Sequence, residues 1–277
     1  METAVQTCYR HPDRRAGVRC QRCDRPICPA CMHQASVGFQ CPECARGGRQ
    51  TVVRGISRTV GRPMVTLVLV AVNLAVFVAG IGSDLATRDS VVVDGGLIGL
   101  GFDGTGLVGV AEGQWWRIFT SAFLHANLVH VAFNCLLLFQ LGTLLEPAFG
   151  RLRFGLVYLA SLLGGGLGVL VVSPHSLTVG ASGAVFGLMG GAFVALRARG
   201  IDPFSTGIGS LIVINLVLTF AVANISVGGH VGGLVGGVAA TWLLTSFGPR
   251  VLHDARLSAV AVGVLCVATF AGCLLAA

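Results

Sequence analysis

The sequence predicts an all-α polytopic membrane protein of seven spans, preceded by a small cysteine-rich domain. Three observations predict it. Of 277 residues, 54% are hydrophobic and only 11% charged, with mean hydropathy +0.80, whereas a soluble domain carries roughly 25% charged residues. Apolar runs of the ~17–25 residues needed to cross a ~30 Å hydrocarbon layer fall near 64–81, 124–145, 154–172, 181–197, 207–224, 227–246 and 257–276. The first 62 residues, in contrast, hold eleven arginines, seven cysteines and no apolar stretch. The boundaries that follow are 1–46 for the cysteine-rich domain, 47–62 for a linker and 63–277 for the membrane domain.

The N-terminal domain reads C-x2-H, C-x2-C, C-x2-C, C-x2-C: Cys8 and His11, Cys20 and Cys23, Cys28 and Cys31, Cys41 and Cys44. Eight such ligands suffice for two tetrahedral structural zinc ions, because a C-x2-C knuckle spans one edge of the coordination polyhedron. Disulfides are the alternative, and they rarely persist in the reducing cytoplasm where the topology below puts these thiols. Spacing alone does not pair the knuckles. Alternating pairs would resemble the cross-braced B-box type of zinc finger, which implies Cys8, His11, Cys28 and Cys31 around one ion and Cys20, Cys23, Cys41 and Cys44 around the other, with His33 as a spare. So few apolar residues leave the domain without a core of its own, so that metal supplies most of its folding free energy. A protein partner is the expected role. The Gly- and Arg-rich linker is expected to lie near anionic head groups.

The net charge of +7 comes entirely from arginine over Asp and Glu. Arg46, Arg49, Arg54, Arg58 and Arg62 precede span 1, Arg151 and Arg153 follow span 2, Arg197 and Arg199 follow span 4, and Arg250 and Arg256 follow span 6. The alternate loops hold only Arg88 and Arg117, beside Asp84, Asp89, Asp94, Asp103 and Glu112. That is the positive-inside pattern: N-terminus cytoplasmic, C-terminus external, the bilayer and not nucleic acid as the surface the arginines meet. No apolar stretch precedes Met64, so no signal peptide is expected and span 1 serves for insertion. Arginine without lysine, with abundant Ala, Gly and Val, points to a GC-rich bacterial genome and hence to the plasma (inner) membrane.

In span 1, Asn73 is expected to hydrogen-bond another helix. Trp115, Trp116 and Arg117, closing the loop that begins at Gly82, read as an interfacial anchor. Span 2 places His130 and Asn134 four apart on one face, while His125 points elsewhere if the helix is continuous. Polar side chains inside a span face protein or water and mark function by default. Glu146 with Arg151 and Arg153 reads as a local ion pair at a turn. Span 3 carries Gly164, Gly165, Gly166 and Gly168, span 4 Gly183, Gly187 and Gly191, and span 6 two stripes, Gly228, Gly232, Gly236 and Gly229, Gly233, Gly237. Small residues every four positions let backbones approach, so spans 4 and 6 are expected to be neighbours. Cys135, Cys266 and Cys273 read as small apolar fillers.

Ser182, in TVGASGAVFGLMG (178–190), is either a helix cap or a nucleophile. Spans 2, 4 and 6 all enter from the external side, so His130, Asn134, Ser182 and His230 share one leaflet, and that favours the nucleophile. His230 is the base that a serine hydroxyl needs. Spans 4 and 6 contain no acid, and Asp202 and Asp254 belong to cytoplasmic loops, so a dyad is expected, not a triad. His130 and Asn134 side chains with the Ser182 backbone N–H would stabilise the oxyanion. A soluble-hydrolase elbow, G-x-S-x-G after a strand, is excluded by Ala184 and by the missing strand pattern.

GASG with a downstream GGHVGG, preceded by WWR and H-x4-H-x3-N, resembles the rhomboid intramembrane serine proteases over roughly Arg62 to Ala277. The resemblance implies Ser182 as nucleophile, His230 as general base, His130 and Asn134 as oxyanion stabilisers, Trp116 and Arg117 as the signature of the first external loop, and Glu146 and Arg151 as structural positions. It further implies a rhomboid-like bundle of six core helices with a seventh appended, a water-filled cavity at Ser182, and membrane-anchored substrates cut near the external face at small residues. Phe186 stands where the motif commonly has Tyr against the histidine. The competing reading is a proteolytically silent member that binds membrane helices, though such members generally lack the Ser or the His. A transporter would need ionisable residues near the bilayer midplane, and the spans show none there.

Overall fold

The computed structural model describes residues 6–35, 38–47, 62–81, 91–252 and 255–277. The chain divides into two compact units, Met1–Thr59 and Val60–Ala277. All but the ends of the expected linker, and the 82–90 part of the loop after span 1, lie outside the described residues.

The first unit is two antiparallel hairpins, β1 (Val18–Arg19) with β2 (Pro26–Ile27) and β3 (His33–Gln34) with β4 (Phe39–Gln40), followed by a short helix, Pro42–Gly47. Its buried cluster is Cys8, Cys20, Cys28, Cys31, Cys41 and Ile27, with Tyr9, Met32 and Phe39 packed against it. One fully buried non-cysteine side chain is far too little apolar area to hold a fold by itself.

The second unit is helical. Among the described residues seven apolar helices of ten residues or more follow in order: α1 (Met64–Ile81), α2 (Leu128–Phe149), α3 (Arg151–Val172), α4 (Ser182–Ala198), α5 (Ile208–Ala221), α6 (Val227–Trp242) and α7 (Ala255–Ala276). Four are long and apolar enough to cross a membrane by themselves: α2, α3, α6 with its extension to Phe247, and α7. The protein is therefore a membrane protein. The 17 residues of α4, about 26 Å, match the expected span displaced by one position, whereas the 14 residues of α5, about 21 Å, fall short of the expected 207–224 because α5 ends at Val222 in β conformation.

Two helix starts also differ from expectation. Asn127 is extended and its side chain accepts the His130 N–H at 2.9 Å, so α2 begins at Leu128 and not near 124. Gly150, at φ +81, reverses the chain within one residue, and α3 begins at Arg151.

The centre of the bundle is α6, packed most extensively on α3 and α4. Backbone meets backbone there: a Cβ on Gly233 would overlap the Gly183 carbonyl, one on Gly237 that of Gly187, and one on Gly232 that of Gly164. Among the four long spans α3 is the most buried, at 61%, and α7 the least, at 17%. A two-stranded hairpin, β5 (Gly101–Phe102) with β6 (Leu107–Val108), stands in the α1–α2 connection.

Three polar residues take partners other than those expected. Asn73 donates back to Leu69 O on its own helix at 2.8 Å, because an amide i to i−4 is the nearest acceptor in an apolar environment. Glu146 accepts from Val65 N, Thr66 N and Thr66 Oγ1 at 3.0, 2.8 and 2.7 Å, thereby capping the free N–H groups of α1, instead of closing the α2–α3 turn. Arg117 is 1% exposed and not an interfacial anchor.

Candidate active site and metal centres

Ser182 is the first residue of α4, and no side chain caps that helix. The capping reading therefore fails: Ser182 Oγ lies 2.8 Å from His230 Nε2 in the first turn of α6. The approach is set by glycine. A Cβ on either Gly165 or Gly183 would stand 3.0 Å from Gly229 O, so α3, α4 and α6 cross at residues adjoining both the serine and the histidine.

The His230 ring is stacked on Phe186, centroids 4.1 Å apart and planes 19° apart. The phenyl face thus occupies the place that a tyrosine ring would take. Its other nitrogen, Nδ1, is 2.7 Å from Thr219 Oγ1 on α5. Thr219 is a site residue that spacing does not reveal; its only signal is a hydroxyl in a largely apolar helix.

His130 and Asn134 stand against Gly180, two residues before Ser182. The glycine has φ +124, open to glycine and strained for others, and a side chain there would meet His130 Cε1 and Nε2 at 2.7 Å and Asn134 Nδ2 at 3.8 Å. Asn134 Nδ2 donates to His130 O at 3.1 Å, and an amide has a second N–H to offer. His125, in the segment ahead of α2, stands edge-on to His130 at 5.0 Å, where a continuous helix would have turned it away. A cavity of about 40 Å³, lined in part by Ser121, Thr178, Ser182 and Ser226, has room for about one water molecule.

Arg117 ties the preceding loop to this segment. Its Nε donates to Gln114 Oε1 at 2.6 Å and its Nη1 to Gly96 O at 2.9 Å and to Val93 O. The next residue, Leu97, exchanges backbone hydrogen bonds of 2.9 and 2.8 Å with Thr178, four residues before Ser182. Trp115 and Trp116 stay exposed.

In the N-terminal unit the structure brings together two groups whose ligand atoms all lie within 4.8 Å of one another, Cys8, His11, Cys28 and Cys31, and Cys20, Cys23, Cys41 and Cys44. His33 belongs to neither. All ten cysteines are free thiols. The Cys23 and Cys41 sulfurs are 3.8 Å apart, the edge of a tetrahedron with metal–sulfur bonds of about 2.3 Å. His11 Nδ1 faces Cys8, Cys28 and Cys31 at 3.9, 3.5 and 3.3 Å. Burial raises the Cys8 and Cys20 thiols, but backbone N–H groups outweigh it and bring each down to about 6. Burial and the neighbouring thiols push Cys31 up to about 11, and hydrogen bonds with Cys41 and Cys23 push Cys44 up to about 12. Burial and the neighbouring thiols thus resist a full set of thiolates in either group unless a cation compensates the charge. These donor sets fit metal ions.

Comparison with known proteins agrees with the helical unit. Residues 112–247 match the Rhomboid domain family. The chain is 43% identical over 164 residues to Rhomboid protease GluP of Bacillus subtilis, covering 56% of this chain and 32% of that one. It is 37% identical over 140 residues to the rhomboid-family protein YdcA of the same bacterium, covering 49% and 70%, and 35% identical over 170 residues to Rhomboid-related protein 2 of Mus musculus, covering 55% and 56%. The chain therefore spans about a third of the length of GluP and over two thirds of YdcA.

Proposed function

The chain belongs to the rhomboid family, and we propose that it is an intramembrane serine endopeptidase cutting the helices of membrane-anchored proteins near the external face. The observation that carries this reading is the 2.8 Å pairing of Ser182 Oγ with His230 Nε2. As Ser182 Oγ attacks the scissile carbonyl carbon, its proton passes to His230 Nε2. The oxyanion receives hydrogen bonds from His130, the Asn134 amide and the Ser182 backbone N–H, donors fixed before the charge develops. His230 then gives its proton to the leaving amine, and the acyl group stays on Ser182. A water molecule, for which the cavity beside Ser182 has room, loses a proton to His230 and attacks the ester. The proton returns to Ser182 Oγ as the acid product leaves.

In this reading the two cysteine groups hold one structural zinc ion each, residues 1–46 form a B-box-like finger that engages a protein partner, residues 47–62 are a linker, and residues 63–277 are the protease domain. The N-terminus is cytoplasmic and the C-terminus external in a bacterial plasma membrane. Reconstituted with a fluorescent single-span substrate, the protein is expected to cleave it, while Ser182→Ala and His230→Ala each abolish turnover and Asp202→Asn leaves it intact. Turnover retained by Ser182→Ala would overturn the assignment.

A further inference from the structure

A histidine base works only if the nitrogen facing the serine is the unprotonated one, so something must hold the proton on the opposite nitrogen. In Ser-His-Asp sites an aspartate does this, and loss of the correct tautomer costs about 10⁴-fold in turnover. Here the group at that position is Thr219. Its Oγ1 is 2.7 Å from His230 Nδ1 and also 2.7 Å from Asn215 O, one turn earlier in α5. A carbonyl oxygen only accepts, so the single hydroxyl proton goes to Asn215. Toward His230 the threonine oxygen then accepts, which puts the imidazole proton on Nδ1 and leaves the Nε2 lone pair for the Ser182 hydroxyl. The directions form one chain: Ser182 O–H to His230 Nε2, His230 Nδ1–H to Thr219 Oγ1, Thr219 O–H to Asn215 O.

The placement of Thr219 is selective. Of the 14 residues of α5 only Gly209 and Thr219 are buried, so Thr219 supplies the one buried side chain of this helix, and that side chain meets the imidazole. We propose that Thr219 is a positioning residue: it holds His230 in the productive tautomer and ties its orientation to the seating of α5. This rests on the reading of Ser182 and His230 as nucleophile and base.

The test uses the full chain in detergent micelles, a fluorophosphonate probe and two substitutions. Thr219→Val removes the hydroxyl and keeps the shape; Thr219→Ser keeps the hydroxyl and removes a methyl group. Thr219→Val is expected to slow labelling of Ser182 about tenfold or more and to lower kcat with KM unchanged within about twofold, and Thr219→Ser to retain at least about half of each rate. On ¹⁵N-histidine-labelled protein, with the His230 signals identified by their loss in His230→Ala, Nδ1 should carry the proton in the wild type and a tautomer mixture should appear in Thr219→Val. Labelling of Thr219→Val within about twofold of wild type, equal slowing of both variants, or an Nε2–H tautomer in the wild type would overturn the proposal. A wild-type chain that takes no probe counts against the protease reading instead, and the tautomer measurement still decides the role of Thr219.

Discussion

The imidazole of His230 is held from three directions, by the Ser182 hydroxyl, the Thr219 hydroxyl and the face of Phe186. A stacked aromatic pair contributes about 0.5–1.5 kcal/mol beyond its buried area. Phe186→Leu, which keeps most of the volume and loses the ring, is therefore expected to lower kcat roughly two- to tenfold, measured in steady-state cleavage; an unchanged kcat would mean the stack does not orient the base. The approach of Ser182 to His230, and of His130 and Asn134 to Gly180, was legible because alternate helix starts share one side, a property of charge distribution along the chain. Thr219 was not, since spacing within α5 does not say which neighbour each face meets. Arg117 and Glu146 were misread for a related reason. Most of their partners are backbone groups about 20 and 80 residues away in sequence, which a local pattern does not offer.

The helix contacts rest on glycine, and the sequence displays them openly as stripes at intervals of four. What the stripes conceal is which contacts tolerate no atom at all. Gly233→Ala would drive its Cβ into the Gly183 carbonyl, and the backbone on neither side can yield cheaply; overpacking of this kind costs about 1–3 kcal/mol or more. Gly155, on α3, has no neighbour within 4 Å of an added Cβ, so Gly155→Ala should leave stability unchanged or raise it by up to about 1 kcal/mol. Denaturation in mixed micelles distinguishes them, and equal effects would show that the contacts are looser than described. Helix ends were less legible than helix existence. The start of α2 depends on the Asn127 cap and that of α3 on the reversal at Gly150, one residue each, against an apolar signal that averages over about twenty.

Taken whole, the molecule combines two units stabilised by different physics. The helical unit packs apolar and glycine surfaces, whereas the N-terminal unit buries thiols around almost no hydrocarbon. Elemental analysis should find about two zinc ions per chain, and the double variant Cys20→Ser, Cys41→Ser should lose about one, because both residues belong to the same group. With structural zinc contributing on the order of 10 kcal/mol, chelation is expected to make residues 1–46 protease-sensitive; resistance in the metal-free state would contradict a metal-dependent fold. The knuckle motif announces the eight ligands in the sequence, while their sorting into two sets is a matter of tertiary approach. The crossing at Gly165, Gly183 and Gly229 has a mechanical meaning as well. Three struts that touch at one node leave little room for any one to slide, so moving the backbones of Ser182 and His230 apart would disturb the packing of α3, α4 and α6 together. In the proposed protease, control would therefore act on access to this node or on the seating of α5 against His230, not on the spacing of α4 and α6.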